Sequence, residues 1–266
     1  MAQASEMITE HTVAQAVRDS GIPGPARYVE RTGSTNADLL TEASEGAAEW
    51  TVLVAAEQTA GRGRLGRTWV SKPGQSLMVS VLLRPAVEAE RAPLLSLAAG
   101  VALVDALASA CGLVARCRWP NDVVTGDRKL AGILSEAVFD GGRLDHVVVG
   151  AGINLLQEAD DFPEGLRTPA TSVGLEGGRP DGPALLTEYL RALAARYGDQ
   201  GSGLIAELVQ AYRDVSDTLG RTVRAQLSPD ESVEGLGEDI GPSGELVIRT
   251  SEGARRVGFG EILHLD

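Results

Sequence analysis

Two long apolar runs, residues 130–139 and 144–155, are separated only by Asp140-Gly141-Gly142 and its neighbours. Parallel strands need a crossover of about a dozen residues, whereas a polar glycine pair suits a tight hairpin turn. The runs therefore predict antiparallel neighbours, and any sheet built on them is at least partly antiparallel. The second run also breaks a rule of strand composition. Gly150-Ala151-Gly152-Ile153-Asn154 places two glycines and an amide in an otherwise valine-rich strand, which weakens the strand with no gain in packing. A pocket wall facing a flat ligand would explain that cost.

Around this hairpin the order of elements is mixed. Residues 9–20 read as an amphipathic helix ended by Gly21 and Pro23, and 26–31 as a strand leading into Thr32-Gly33-Ser34-Thr35-Asn36. Ser34 or Thr35 caps a helix over 37–47. Strands follow at 51–57 and, by alternation, at 75–83; 93–110 is the strongest helix and 114–119 a further strand. Helices at 183–197 and 204–214 precede a change of character at Leu219-Gly220. Beyond it, short alternating runs broken by Ser228-Pro229, Gly241-Pro242, Ser243-Gly244 and Glu252-Gly253 suggest a small closed β-barrel. The expected fold is α+β, a mixed and mostly antiparallel sheet with helices on one face, followed by the barrel. The division is an N-terminal segment 1–25, a ligand-binding domain 26–217 and a C-terminal domain 218–266.

Composition removes several function classes. With 266 residues, 43% hydrophobic and 23% charged, the chain supports one sizeable core and a small second unit. A net charge of −13 argues against a general nucleic-acid binder, which needs a basic face for phosphates. The first residues lack a basic stretch before an apolar core, and no run is expected to reach the roughly 18 apolar residues of a membrane span, so a cytoplasmic protein without membrane contact is expected. Cys111 and Cys117 form no CxxC pair, and His11, His146 and His264 are scattered, which leaves neither a His/Cys zinc site nor a histidine triad local support.

Of 24 basic residues, only Lys72 and Lys129 are lysines. Lysine offers a compact, mobile point charge where arginine offers a planar fork, so a lysine kept at Arg128-Lys129-Leu130-Ala131-Gly132 is the first catalytic candidate. Gly132 lets a ligand approach the strand closely. Gly61-Arg62-Gly63-Arg64-Leu65-Gly66-Arg67 combines free backbone turns with fixed positive charge, which suits an anion. By letter it matches G-x-G-x-x-G, but Thr68-Trp69-Val70-Ser71-Lys72-Pro73-Gly74 cannot open the helix that a dinucleotide fold requires. No phosphate-binding G-x-x-x-x-G-K-[ST] occurs. Arg118-Trp119-Pro120-Asn121-Asp122 sets an amide and a carboxylate past a strand end, where their oxygens could help hold magnesium against phosphates.

These segments, with Gly33-Ser34-Thr35-Asn36 and Glu57-Gln58-Thr59-Ala60 before the loop, resemble the ordered motif set of biotin–protein ligases. The resemblance spans roughly residues 27–266 and includes a terminal piece similar to that family's SH3-like domain. It implies a class II synthetase-like catalytic domain and a two-step reaction. Biotin and MgATP give biotinoyl-5′-AMP and pyrophosphate, and a lysine of a biotin carboxyl carrier domain of acyl-CoA carboxylase then takes the biotinoyl group. No tightly bound cofactor is implied. Ser34, Thr35, Asn36 and Gln58 correspond to the biotin wall, with Arg62, Gly63 and Arg64 closing over the ligand and Gly132 and Gly152 beside it. Lys129 corresponds to the residue between the biotin carboxylate and the α-phosphate, with Arg62 as its catalytic partner. Arg62, Arg64, Arg67, Trp69, Lys129 and Asn154 correspond to the ATP and adenylate end, and Asn121 and Asp122 to the phosphates and metal or the incoming lysine. Family members that repress transcription carry an N-terminal winged helix; the short stretch before Ser34 implies no such domain and no operator binding. Two rivals stay open: a lipoate ligase or acyltransferase of the same architecture, against which the complete loop and terminal barrel weigh, and a non-enzymatic ligand sensor, against which Lys129 and the Asn121-Asp122 pair weigh.

Overall fold

The computed structural model describes residues 7–204 and 206–265, so residues 1–6 of the expected N-terminal segment, Ile205 of the expected helix and Asp266 lie outside the described residues. Helix α1 (Glu10–Ser20) is capped by Thr9, whose hydroxyl accepts from the Thr12 N–H, and ends at Gly21 with φ 79°. Strand β1 (Ala26–Thr32) leads into α2 (Thr35–Ser44), then β2 (Val52–Gln58), β3 (Ser76–Leu83) and the long α3 (Ala92–Ala106). Strands β4 (Arg116–Arg118), β5 (Asp122–Thr125), β6 (Arg128–Asp140) and β7 (Arg143–Asn154) complete one sheet. Helices α4 (Gly182–Tyr197) and α5 (Ala206–Asp214) precede β8 (Thr222–Ser228), β9 (Glu231–Ile240), β10 (Leu246–Thr250), β11 (Gly253–Val257) and β12 (Glu261–His264).

The first sheet has the order β1-β2-β3-β7-β6-β5-β4. Only β1 and β2 run parallel, and the β6–β7 hairpin sits at its heart. The expected helical layer covers one face: α1, α3, α4 and α5 share a core with Val52, Val54, Val79, Val81, Val147 and Val149. Helix α2 does not join that layer. Its Leu39 and Ala43 pack on Leu53, Leu82 and Val148, which the two-residue period of the strands places on the opposite face. That face is therefore covered at one end and open beyond it.

Past the end of β4, Asn121 lies in a turn and Asp122 opens β5, paired with β4 and β6. One expectation needs correction. The segment Ala89–Cys111 is long and apolar enough to cross a membrane, with a mean hydropathy of 2.0 over its best window, contrary to the expectation that no run would be. That window is 78% buried, because α3 is enclosed by α4, α5 and the sheet; an all-round apolar helix at the centre of a core meets the same test.

The second sheet is antiparallel in the order β11-β10-β9-β8-β12, so the pairing leaves β11 and β12 as edges and does not close the barrel. It is fastened to the first sheet beside edge strand β4. Cys117 exchanges backbone bonds with Val215 and Asp217 at 2.8 and 2.7 Å, and the buried Trp119 donates from Nε1 to the Gly244 carbonyl at 2.9 Å. Arg118, nearly buried, meets Asp217 at 2.7 Å. The loops of the second sheet consequently overhang the open face of the first.

Candidate functional site

A cleft of about 260 Å³ occupies that open face. Its floor follows from strand register. Ser80 pairs with Gly150, Leu134 with Gly150, and Gly132 with Gly152, so these side-chain positions project to one face, the face of α2. The glycines leave room for particular neighbours. A Cβ on Gly150 would stand 2.2 Å from Asn36 Oδ1, and one on Gly152 would stand 2.6 Å from the Trp69 ring. Trp69 lies across the facing Gly132 and Gly152, with its Nε1 buried and unpartnered.

Lys129 reaches this face through an irregularity. It lies three positions before Gly132, an odd spacing that in a regular strand would point the two to opposite sides. A register shift opposite Val123 and Val124 inserts Leu130 as an extra residue: Asp122 pairs with Gly132 but Val124 pairs with Lys129. Leu130 drops fully into the core, and Lys129 turns to the cleft, where its Nζ lies 2.7 Å from Asp122 Oδ1. The Lys129 backbone is held on its other edge, its N–H donating to Pro169 O and its carbonyl accepting from the Thr171 N–H.

The wall contributed by α2 begins at Thr35, two residues earlier than the predicted start at residue 37. Ser34 holds the N-cap position without a side-chain cap, and Gln58 takes that role: its Oε1 accepts from the Thr35 N–H at 2.8 Å and lies 3.1 Å from the Thr35 hydroxyl. Ser80 Oγ lies within hydrogen-bond distance of both Thr35 Oγ1 and Asn36 Oδ1, at 2.7 and 2.6 Å. Asn36 Nδ2 donates to Leu134 O and to Glu136 Oε2, the second at 2.8 Å. Ser34, Thr35, Asn36 and Gln58 are thus brought together as one polar wall.

Residues 61–67 arch over the cleft as a compact turn. The Gly63 N–H donates to Arg67 O at 2.7 Å, and Leu65 sits in the left-handed region with φ 55°. Each arginine of the turn finds its own acceptor. Arg62 meets Glu136 at 2.9 Å, Arg64 donates to Asn121 Oδ1 and to Gly260 O, and Arg67 pairs with Glu261 of β12. Burial lowers the pKa of Arg64, opposed by the carboxylates of Asp122 and Glu261. At the far end, Asn154 donates to Thr171 O and accepts from Gln157, so it closes the cleft from the last residue of β7.

Asn121 and Asp122 both line the cleft, each already engaged by a neighbour. Asn121 accepts from Arg64 and donates to Ile133 O, and Asp122 is shared with Lys129. Among the described residues no group of three or more His, Cys, Asp or Glu gathers to hold a cation. All the predicted site residues, Asn121 and Asp122 included, line the cleft. Glu136 and Glu261 were missed, and both supply counter-ions. Glu136 was within reach of a two-residue count along β6 from Gly132, a charged residue on the same side of the sheet; Glu261 lies 194 or more residues from the loop it holds and no local signal marks it.

The arrangement concentrates Lys129 and three arginines over a floor stripped of side chains, as an elongated anionic ligand with a flat end requires. Residues 28–154 match the Biotin/lipoate A/B protein ligase family, and 218–265 match the Biotin protein ligase C terminal domain. A biotin–[acetyl-CoA-carboxylase] ligase of Mycobacterium tuberculosis is 37% identical over 89% of this chain and 88% of its own. That of Paracoccus denitrificans is 36% identical over 87% and 97%. A solved biotin protein ligase from Aquifex aeolicus, in complex with biotin and ATP, superimposes with a TM-score of 0.73 at 28% identity, covering 90% of this chain and 97% of that one. Sharing both domains and these relatives along nearly its whole length, the chain belongs to the biotin protein ligase family.

Proposed function

We propose that this chain is an ATP-dependent ligase that activates biotin as biotinoyl-5′-AMP and transfers the acyl group to a lysine of a biotin carboxyl carrier domain of acyl-CoA carboxylase. In the first step a biotin carboxylate oxygen bonds to the α-phosphorus of MgATP and pyrophosphate leaves. In the second an uncharged lysine amine bonds to the activated carbonyl and AMP leaves, the amine's proton passing to solvent. Two anions must be brought together in the first step, so fixed positive charge and positioning supply most of the rate. The observation that carries the reading is Lys129 Nζ, delivered by the bulge in β6 to the cleft face beneath Arg62, Arg64 and Arg67.

The roles follow from position. Ser34, Thr35, Asn36 and Gln58 form the biotin wall, with Gly132 and Gly152 as its floor. Lys129 lies between the carboxylate and the α-phosphate, and Arg62 joins it at the developing charge. Arg64, Arg67, Trp69 and Asn154 hold the adenylate, while magnesium arrives as part of MgATP. Asp122, by accepting from Lys129, keeps the ammonium aimed into the cleft. We place the catalytic unit at 26–217 and the C-terminal unit at 218–266, supported by the starts of β1 at Ala26 and β8 at Thr222. We place the reaction in the cytoplasm, where ATP is available, and assign no DNA target, in keeping with the net charge of −13.

The test is to mix the purified protein with biotin, MgATP and a recombinant carrier domain and weigh the carrier. A gain of one biotinoyl group with wild type, and none with Lys129→Ala, is expected. No gain, with a carrier that a known ligase modifies, would refute the reading, and a parallel run with lipoate separates the two acyl specificities.

A further inference from the structure

Glu136 sits at the centre of the site's polar contacts without lining the cleft. Its Oε2 accepts from Arg62 at 2.9 Å and from Asn36 Nδ2 at 2.8 Å, joining an exposed side chain of the anion loop to the buried biotin wall. Asn36 is 4% exposed, and its other amide atom faces Ser80, so its orientation is set from both sides. Arg62 is different. Its side chain is 42% exposed and Glu136 is the carboxylate it meets, at the edge of a cleft that Arg62 also lines. An ion pair so open to water is weak, while a phosphate or carboxylate inside the cleft offers the same guanidinium a doubly hydrogen-bonded partner away from bulk water.

We propose that Glu136 is a positioning residue that parks Arg62 on the cleft rim between turnovers and surrenders it to the anionic ligand, while its bond to Asn36 keeps the biotin wall in register. The inference rests on the ligase reading. It assigns two separable functions to one carboxylate: a charge that competes with the ligand for Arg62, and a hydrogen-bond acceptor that Asn36 needs. The substitution Glu136→Gln removes the charge and retains an acceptor for Asn36. Glu136→Ala removes both.

The experiment measures binding of two probes by calorimetry, uncharged biotinamide and a non-hydrolysable, phosphate-bearing analogue of biotinoyl-AMP. Glu136→Gln is expected to leave biotinamide affinity unchanged and to tighten the charged analogue about two- to fivefold, the range that an exposed ion pair is worth. Glu136→Ala is expected to weaken biotinamide as well. A merely structural Glu136 would move both probes in parallel and lower the melting temperature of Glu136→Gln. Equal or weaker binding of the charged analogue by Glu136→Gln overturns the parking role. If wild type binds neither probe, the ligase reading fails and carries this assignment with it; if wild type binds both, only the role of Glu136 is being judged.

Discussion

At the scale of single residues, the choice between an ammonium and a guanidinium matters most at Lys129. Its Nζ is in contact with Asp122 Oδ1 at 2.7 Å, and the space beside it exists because position 132 has no Cβ: one built there would lie 3.4 Å from Nζ. Arginine keeps the charge but spreads it over a planar fork that cannot occupy that compact seat. Lys129→Arg should lower the rate of biotin-dependent pyrophosphate release by about a hundredfold or more, the usual cost of losing one preorganised donor to a developing charge. The melting temperature should barely move, since an ion pair about a quarter exposed contributes on the order of 1 kcal/mol or less. A near-normal rate would remove Lys129 from the mechanism.

At the scale of elements, the facing glycines of β6 and β7 are the least replaceable part of the floor. Gly132 and Gly152 are cross-strand partners, and Trp69 rests on both. A β-carbon at Gly152 would come within 2.6 Å of the Trp69 ring, inside any normal contact, so the indole must leave its seat. Gly152→Ala should therefore weaken ATP binding about tenfold, equivalent to roughly 1.4 kcal/mol, while far-UV circular dichroism stays that of the wild type, because alanine suits a strand no worse than glycine. Unchanged ATP affinity would show that the position of Trp69 is irrelevant to the nucleotide.

At the scale of the whole molecule, the two sheets share one task. Glu261 of β12 pairs with Arg67 of the loop and with Arg167 of the segment beyond β7, and the neighbouring Gly260 carbonyl accepts from Arg64. The C-terminal sheet thereby sets the resting position of a loop that belongs to the other unit. Arg67 and Arg167 are each about half exposed, 54% and 50%, so breaking both pairs should cost little global stability. The same loss acts directly on the loop's own equilibrium. Glu261→Ala should raise the KM for ATP several-fold with kcat and melting temperature little changed. An unaltered KM would mean that the loop is positioned without help from the second sheet.

The sequence by itself determined those features that depend on neighbours along the chain: the β6–β7 hairpin through its glycine turn, the helices through their periodicity and caps, the arginine-glycine loop, and the family through motifs of fixed order. Boundaries moved by a few residues where a distant side chain intervened, as when Gln58 capped α2 and drew Thr35 and Asn36 into the helix. The tertiary structure alone decided which face each element took and which charges met. The bulge that turns Lys129 into the cleft exists only as a mismatch between paired strands, and the placement of α2 opposite the other helices depends on which side of the sheet remained to be covered. Counter-ions followed the same rule. Glu136 lies 74 residues from Arg62, and the short range of an ion pair means that only the folded chain could bring them together.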